Sequence, residues 1–255
     1  MRKNLKAAKK VNAKTSHDIK LELDVRCQKL IEKTLHKAFP EIAFLGEEGN
    51  SGAENAEYRW VVDPIDGTVN FSYGIPHACV CIALQKRISG SESRVSRSKR
   101  NQSETSNTEY ETILGLIYDP FLDEMFTATA TDAPRLNGKP IRVSDRSKLE
   151  DSICVMGYGK NENMIRESLP LFGRLTIKCR KLRNMGSAGL GLAYVACGRF
   201  DAYIERGVSL WDIAAGGFIV ERAGGEFWRV PTRDKYGFRM ITTNGKLRKK
   251  IEALM

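Results

Sequence analysis

The sequence predicts a layered α/β or α+β sandwich. Three observations lead there. Strand-like and helix-like runs alternate without a regular βαβ repeat, and His77–Leu84 is nearly continuously apolar, as a central strand would be. Three acidic clusters, around Glu47, around Asp63 and Asp66, and around Asp212, fall where strands and helices meet.

The elements follow in order. Leu23, Cys27, Leu30, Ile31, Leu35 and Ala38 repeat at three- and four-residue spacing, which predicts a helix over Glu22–Phe39, ended by Pro40. IAFLGEEG reads as a short strand entering an acidic loop. Tyr58–Val62 is a strand stopped by Asp63-Pro64, with DPIDGT as a tight turn. Gln85–Thr108 is rich in Ser, Arg, Lys and Asn, with Ile88 and Val95 its sole large apolar residues. It reads as a mostly disordered insertion between two paired strands. The second of these is Thr112–Tyr118, with Glu124–Ala128 as its hairpin partner. Then come a strand at Ile153–Met156, a helix over Glu162–Leu169, a small-residue helix over Gly186–Cys197 and a strand at Arg199–Ile204. A helix at Trp211–Arg222, strands at Glu226–Val230 and Phe238–Thr242, and a helix at Lys246–Leu254 complete the chain. No internal repeat is visible.

Composition bounds the function. The 255 residues carry a formal charge of +10, but residues 1–14 hold six basic side chains and no acid. Residues 86–100 hold six more against Glu92 alone, which leaves a body of about −1. Basicity is thus confined to two appendages, read first as solvated tails, with an RNA partner as the alternative. Five of the six cysteines sit in apolar surroundings without zinc-site spacing, as reduced thiols of an intracellular protein would. No apolar run is long enough to span a membrane, and no secretory core is present. The start is expected to be frayed or partly helical; an organelle-targeting segment is the other reading.

The acids carry the chemistry. A strand ending in Asp63-Pro64-Ile65-Asp66-Gly67-Thr68 is hard to explain as a plain turn, which needs one Asp. Two carboxylates three residues apart across a tight turn can converge on one point, and Gly67 lets the Ile65 carbonyl face it too. Asp212 starts an apolar helix and can reach the same point; helix capping is its bland alternative, as an exposed acidic loop is for Glu47. Hard oxygen ligands suit magnesium, manganese or calcium rather than zinc. The amides of Gly67 and Thr68 suit a phosphoryl oxygen. Metal-assisted hydrolysis of a phosphate ester follows, and no GxxxxGK[ST] loop points to nucleotide-driven transfer.

LGEEG, WVVDPIDGTVNF and LWDIAAGGFIVERAGG, in this order, closely resemble the inositol monophosphatase family of lithium-sensitive, magnesium-dependent phosphatases. The resemblance runs from about Asp18 onward and is most like bacterial members. It implies an α+β fold, a layered αβαβα sandwich, in one catalytic domain over residues 15–255, with sub-domains of about 15–145 and 146–255. It implies two or three Mg2+ ions, with Mn2+ as a substitute. Glu47, Asp63 and the Ile65 carbonyl would hold the first ion; Asp66 and Asp212 join Asp63 around the second. Thr68 with Glu47 would activate water, supported by Asp24, while the Gly67 and Thr68 amides hold phosphate. Gly186, Ser187, Ala188 and Glu205, with Asp66 and Asp212, would face a small phosphorylated polyol or sugar; a surface acid is the alternative for Glu205.

Inositol monophosphate is the expected substrate, with fructose 1,6-bisphosphate and adenosine bisphosphates as alternatives. A cytoplasmic homodimer without membrane contact is implied, and a partnership with RNA or the transcription machinery is a third reading. Three departures stand out: most of the family's long first helix is missing or altered, Leu21 replaces a threonine of the Asp18–Asp24 segment, and the 85–108 insertion is unusual.

Overall fold

Period-two alternation decides what each strand buries, and the computed structural model makes this visible over residues 1–7, 9–14, 19–88, 110–159 and 161–255. The first half contains β1 (Val11–Lys14), β2 (Ile19–Leu21), α1 (Glu22–Ala38), β3 (Ala43–Gly46), β4 (Gly49–Ser51), β5 (Tyr58–Asp66) and α2 (Thr68–Ser72). β6 (Cys79–Arg87), β7 (Tyr110–Asp119), β8 (Glu124–Thr129), β9 (Arg135–Leu136) and β10 (Lys139–Pro140) follow. The second half contains β11 (Ile153–Met156), α3 (Glu162–Lys178), β12 (Lys181–Arg183), α4 (Ala188–Ala196) and β13 (Ala202–Ser209). It closes with α5 (Leu210–Arg222), β14 (Glu226–Pro231), β15 (Gly237–Thr243) and α6 (Arg248–Glu252).

Among the described residues, eight strands form one sheet in the order β10-β9-β8-β7-β6-β5-β3-β4, and five form another, β12-β11-β13-β15-β14. In the larger sheet, Trp60, Val62, Ile82 and Leu84 face outward onto Ile31 and Leu35 of α1. Their neighbours Val61, Cys79, Cys81 and Ala83 face inward, onto Leu190, Leu192, Ile213 and Ile219 of α4 and α5. Tyr203, Val208 and Met240 of the smaller sheet close the other side of that helical layer. The far side of the smaller sheet buries Cys154, Ile204 and Ile241 against Leu171 and Leu175 of α3 and Ile251 of α6. The layers are therefore α1, sheet, α4 with α5, sheet, α3 with α6. This is the expected αβαβα sandwich.

Four local expectations are corrected. β5 does not stop at Asp63-Pro64 but runs on to Asp66 through a bulge: Asp63 pairs with Cys81 and Asp66 with Cys79. Three steps on β5 thus match two on β6. Proline is tolerated there because a bulge residue owes the ladder no N–H. α3 continues past Leu169 through Pro170, because Leu171 and Leu175 are buried beneath the smaller sheet. β13 begins later and ends later than expected, so Glu205 lies within the strand, opposite Met240. Residues Gln85–Arg87 belong to β6, so the expected insertion does not start at 85. Its remainder, 89–108, lies outside the described residues, as does Asp18.

The basic start is partly helical, one of the two forms expected of it, and then extended. Arg2–Asn4 form a short 3-10 turn, and β1 pairs antiparallel with β2. Met1 and Leu5 pack on Leu21, Ile65, Phe71 and Ala78. Leu21, standing where the resemblance expects a threonine, is 1% exposed in that cluster and backs the β5–α2 turn.

α5 lies so close to β7 that a Cβ on Gly115 would sit 2.7 Å from the Ala215 carbonyl oxygen. Gly115→Ala is expected to destabilise the protein by about 1–3 kcal/mol through this overlap. Urea unfolding should show a lower midpoint at an unchanged slope.

Candidate active site

β3 and β5 run parallel, with Gly46 beside Val62, so the residues that follow, Glu47 and Asp63, emerge at the same sheet edge. The Glu47 amide donates to the Val62 carbonyl at 3.2 Å, fixing that adjacency. On an unbroken strand, residues three apart point to opposite faces. The bulge cancels this: Asp63 and Asp66 oppose Cys81 and Cys79, which share one face, so both acids point inward. Pro64 leaves no N–H to satisfy, and the Ile65 N–H is taken by Asp63 Oδ1 at 2.9 Å.

The acids open onto a cleft of about 330 Å³ between the two sheets. Glu47, Asp63, Ile65, Asp66, Gly67, Thr68, Gly186, Ser187, Ala188, Glu205 and Asp212 all line it, although they come from distant parts of the chain. Asp24 does not. It is buried in the first turn of α1, where its Oδ2 accepts from the Leu21 amide at 2.9 Å.

Asp66 is held from the opposite layer. Its Oδ1 accepts from Ala188 N at 3.1 Å, and its Oδ2 accepts from Gly189 N at 2.7 Å and from the Ser187 hydroxyl. These are the first amides of α4, which lack partners within the helix and welcome an anion. Asp212 occupies the third position of α5, where its Oδ2 accepts from Ser209 N at 2.7 Å. It is therefore a capping residue and a cleft residue together. Gly67 takes a left-handed φ of 88°, and a Cβ there would lie 2.9 Å from the His77 carbonyl. Only glycine makes this turn without strain. Thr68 Oγ1 donates to the Ile65 carbonyl at 2.8 Å, so the hydroxyl and that carbonyl meet at the turn. Across the cleft, Glu205 accepts from the Tyr203 hydroxyl two residues earlier on the same face of β13.

Three positioning residues escape sequence reasoning. Gln28 of α1 donates to Gly49 O at 3.0 Å and accepts from Glu48 N at 2.8 Å, which pins the loop carrying Glu47. In sequence Gln28 is one polar residue within an amphipathic helix, with no signal of its own. Asn70 donates to His77 O at 3.0 Å and to Met185 O at 2.8 Å, tying the β5–α2 turn to the loop before α4. Its place two residues after Thr68 is the one clue the sequence offered. Tyr203 is legible only through its alternation with Glu205.

Electrostatics defines what the cleft accepts. Five acids line it, Glu47, Asp63, Asp66, Glu205 and Asp212, and among the described residues no Lys, Arg or His does. Burial foremost, and then the charges of Glu47, Asp66 and Asp212, hold the Asp63 carboxyl well above its ordinary range. Like charges gathered around a buried carboxyl fit a bound cation, which would offset their repulsion. Asp66 also joins Cys79 and Cys81 in a buried group of potential ligands. Burial pushes the Cys79 thiol up to about 11.

Comparison with known proteins agrees with this geometry. The family model described as the inositol monophosphatase family matches residues 1–90 and 108–248. A Nus factor SuhB of Pseudomonas aeruginosa is 37% identical over 221 residues, covering 84% of this chain and 73% of the relative. An inositol-1-monophosphatase of Rhizobium meliloti is 34% identical over 222 residues, with the same two coverages. The crystal structure of extragenic suppressor protein suhB from Bartonella henselae matches with a TM-score of 0.83 at 30% identity, over 99% of this chain and 91% of that one. No described helix is long and apolar enough to cross a membrane.

A carboxyl whose folded pKa exceeds its ordinary 3.8 keeps its proton in the native chain after the unfolded chain has released it. The metal-free protein should therefore lose stability as pH rises from that value through the raised one. Asp63→Asn is expected to flatten the slope and raise the metal-free thermal midpoint at neutral pH. Thermal melts across a pH series, with and without Mg2+, measure both effects.

Proposed function

Because the chain belongs to the inositol monophosphatase family, we propose that it hydrolyses inositol monophosphate, or a similar polyol or sugar phosphate, to the free polyol and inorganic phosphate. Family and fold agree with a metal-dependent phosphomonoesterase. The observation that carries the finer reading is the cleft itself, with five acids and the Gly67–Thr68 turn on one wall.

In this reading Glu47, Asp63 and the Ile65 carbonyl hold one Mg2+ ion, and Asp63, Asp66 and Asp212 hold another; a third ion and replacement by Mn2+ belong to the same scheme. Bound magnesium supplies Lewis-acid activation and neutralises charge on the phosphate ester. The protein does the rest by positioning. Glu47 and the Thr68 hydroxyl orient the attacking water and take up its proton, with Asp24 supporting them from the first turn of α1. The Gly67 and Thr68 amides receive phosphoryl oxygens as charge develops. Gly186, Ser187 and Ala188 bound the polyol, and Glu205 accepts its hydroxyl hydrogen bonds, oriented by Tyr203. A cytoplasmic homodimer is part of the proposal.

Asp212→Asn should lower magnesium-dependent phosphate release from inositol 1-phosphate by about 100-fold or more, as loss of a group that stabilises transition-state charge does. Turnover insensitive to that change would sink the assignment. Glu205→Gln should raise KM for inositol 1-phosphate and leave hydrolysis of p-nitrophenyl phosphate, which has no polyol, almost unchanged. Running fructose 1,6-bisphosphate and an adenosine bisphosphate beside them decides the substrate class.

A second reading is favoured by one observation: the Pseudomonas aeruginosa relative is named a Nus factor. The basic residues of 89–108 would then serve an RNA or transcription partner. Salt-dependent RNA binding by the full chain, lost when 89–108 is replaced by a short Gly-Ser linker, tests it. No binding at low salt removes it.

A further inference from the structure

Directly behind Asp66 lie two thiols for which the phosphatase reading has no use. Cys79 and Cys81 are two residues apart on β6 and share its inward face, fully buried against α4. Their sulfurs are 3.7 Å apart. Cys79 Sγ is 3.4 Å from Asp66 Oδ2 and 3.7 Å from the Ser187 hydroxyl. The Asp66, Cys79 and Cys81 ligand atoms all lie within 4.8 Å of one another. A tetrahedral ion with sulfur at about 2.3 Å and oxygen at about 2.0 Å requires S–S edges of about 3.8 Å and S–O edges of about 3.5 Å. The Cys79–Cys81 and Cys79–Asp66 edges match those lengths.

The donors also converge on one place. A Cβ built on Gly189 would stand 2.4 Å from Cys81 Sγ, 2.8 Å from Cys79 Sγ and 3.1 Å from Asp66 Oδ2. Any side chain at position 189 would fill that cradle. Glycine is what lets α4 approach all three donors this closely.

We propose that Cys79, Cys81 and Asp66 form a site for a thiophilic divalent cation of the zinc or cadmium class. Two sulfurs make the site poor for magnesium and good for softer ions. Binding exchanges two thiol protons for the cation, and both protons leave to solvent. The Ser187 and Cys79 hydrogens that now point at Asp66 Oδ2 give way to the metal. The route in is the cleft, since Asp66 and Ser187 line it while the cysteines do not. Asp66 would thereby be shared with the magnesium site, so the thiophilic ion would displace magnesium. This sharing, though not the thiol site, rests on the magnesium reading above.

Titrating the metal-free full chain with Cd2+ and following ultraviolet cadmium–thiolate absorption tests the site. One equivalent should give the band, and added Mg2+ should raise the half-saturating Cd2+ concentration. Cys81→Ser should weaken binding by about tenfold or more and diminish the band; Cys81→Ala serves should the serine variant fail to fold. Cys154→Ser, which alters a different buried thiol, should leave the band intact. No band, a band unchanged in the Cys81 variants, or a band lost in Cys154→Ser overturns the site. Magnesium that raises the thermal midpoint yet leaves the cadmium half-saturation unmoved overturns the shared carboxylate. Magnesium that does neither overturns the magnesium reading instead, and the thiol site then stands on its band.

Discussion

The carboxylate of Asp66, held by the first turn of α4, is the contact on which the rest of the site depends. It ends the bulged strand of one sheet, and it satisfies amides of a helix packed between both sheets. A buried acid would ordinarily be costly, but two backbone N–H groups and a serine hydroxyl offset its lost hydration. The same bonds set the depth at which α4 enters, and so where Gly186, Ser187 and Ala188 stand along the cleft.

Four more acids, Glu47, Asp63, Glu205 and Asp212, line the cleft around it. Burial, and then the charges of Glu47, Asp66 and Asp212, hold the Asp63 carboxyl above its ordinary range, the kind of perturbation that gathers at functional sites. Its geometry survives because supports lie outside the cluster. Gln28 pins the Glu47 loop from α1, and Asn70 ties the β5–α2 turn to the loop before α4. Neither adds charge; each fixes backbone, which is what positioning of a phosphate ester requires.

Much of this was legible in linear form, and the failures have physical causes. The periodicity of α1 follows from which face is buried, so its bounds, Glu22–Ala38, lie one residue from those expected, whereas β6 starts two residues later and ends three residues later than the apolar run His77–Leu84. The helix expected over Glu162–Leu169 runs on through Pro170 because the proline's local cost is outweighed by burial of Leu171 and Leu175, a tertiary gain. Asp63-Pro64 looked like a stop because a bulge depends on the partner strand, which local sequence does not display. Leu21 looked like a lost hydroxyl; its actual surroundings are the apolar backing of the β5–α2 turn.

By itself the sequence determined the chemistry on offer: which acids exist, their order, and the glycine and proline that shape the Asp63–Thr68 turn. Residue type and local backbone preference are properties of short segments, so they can be read without a fold. Only the tertiary structure decided which groups meet. It turned Asp63 and Asp66 to one face through a register shift, made Asp212 both cap and cleft residue, and set Gly189 against two thiols and a carboxylate. Those outcomes depend on pairing and packing between segments, from the 13 residues that separate Asp66 from Cys79 to the 123 that separate it from Gly189, and no single-residue signal encodes them.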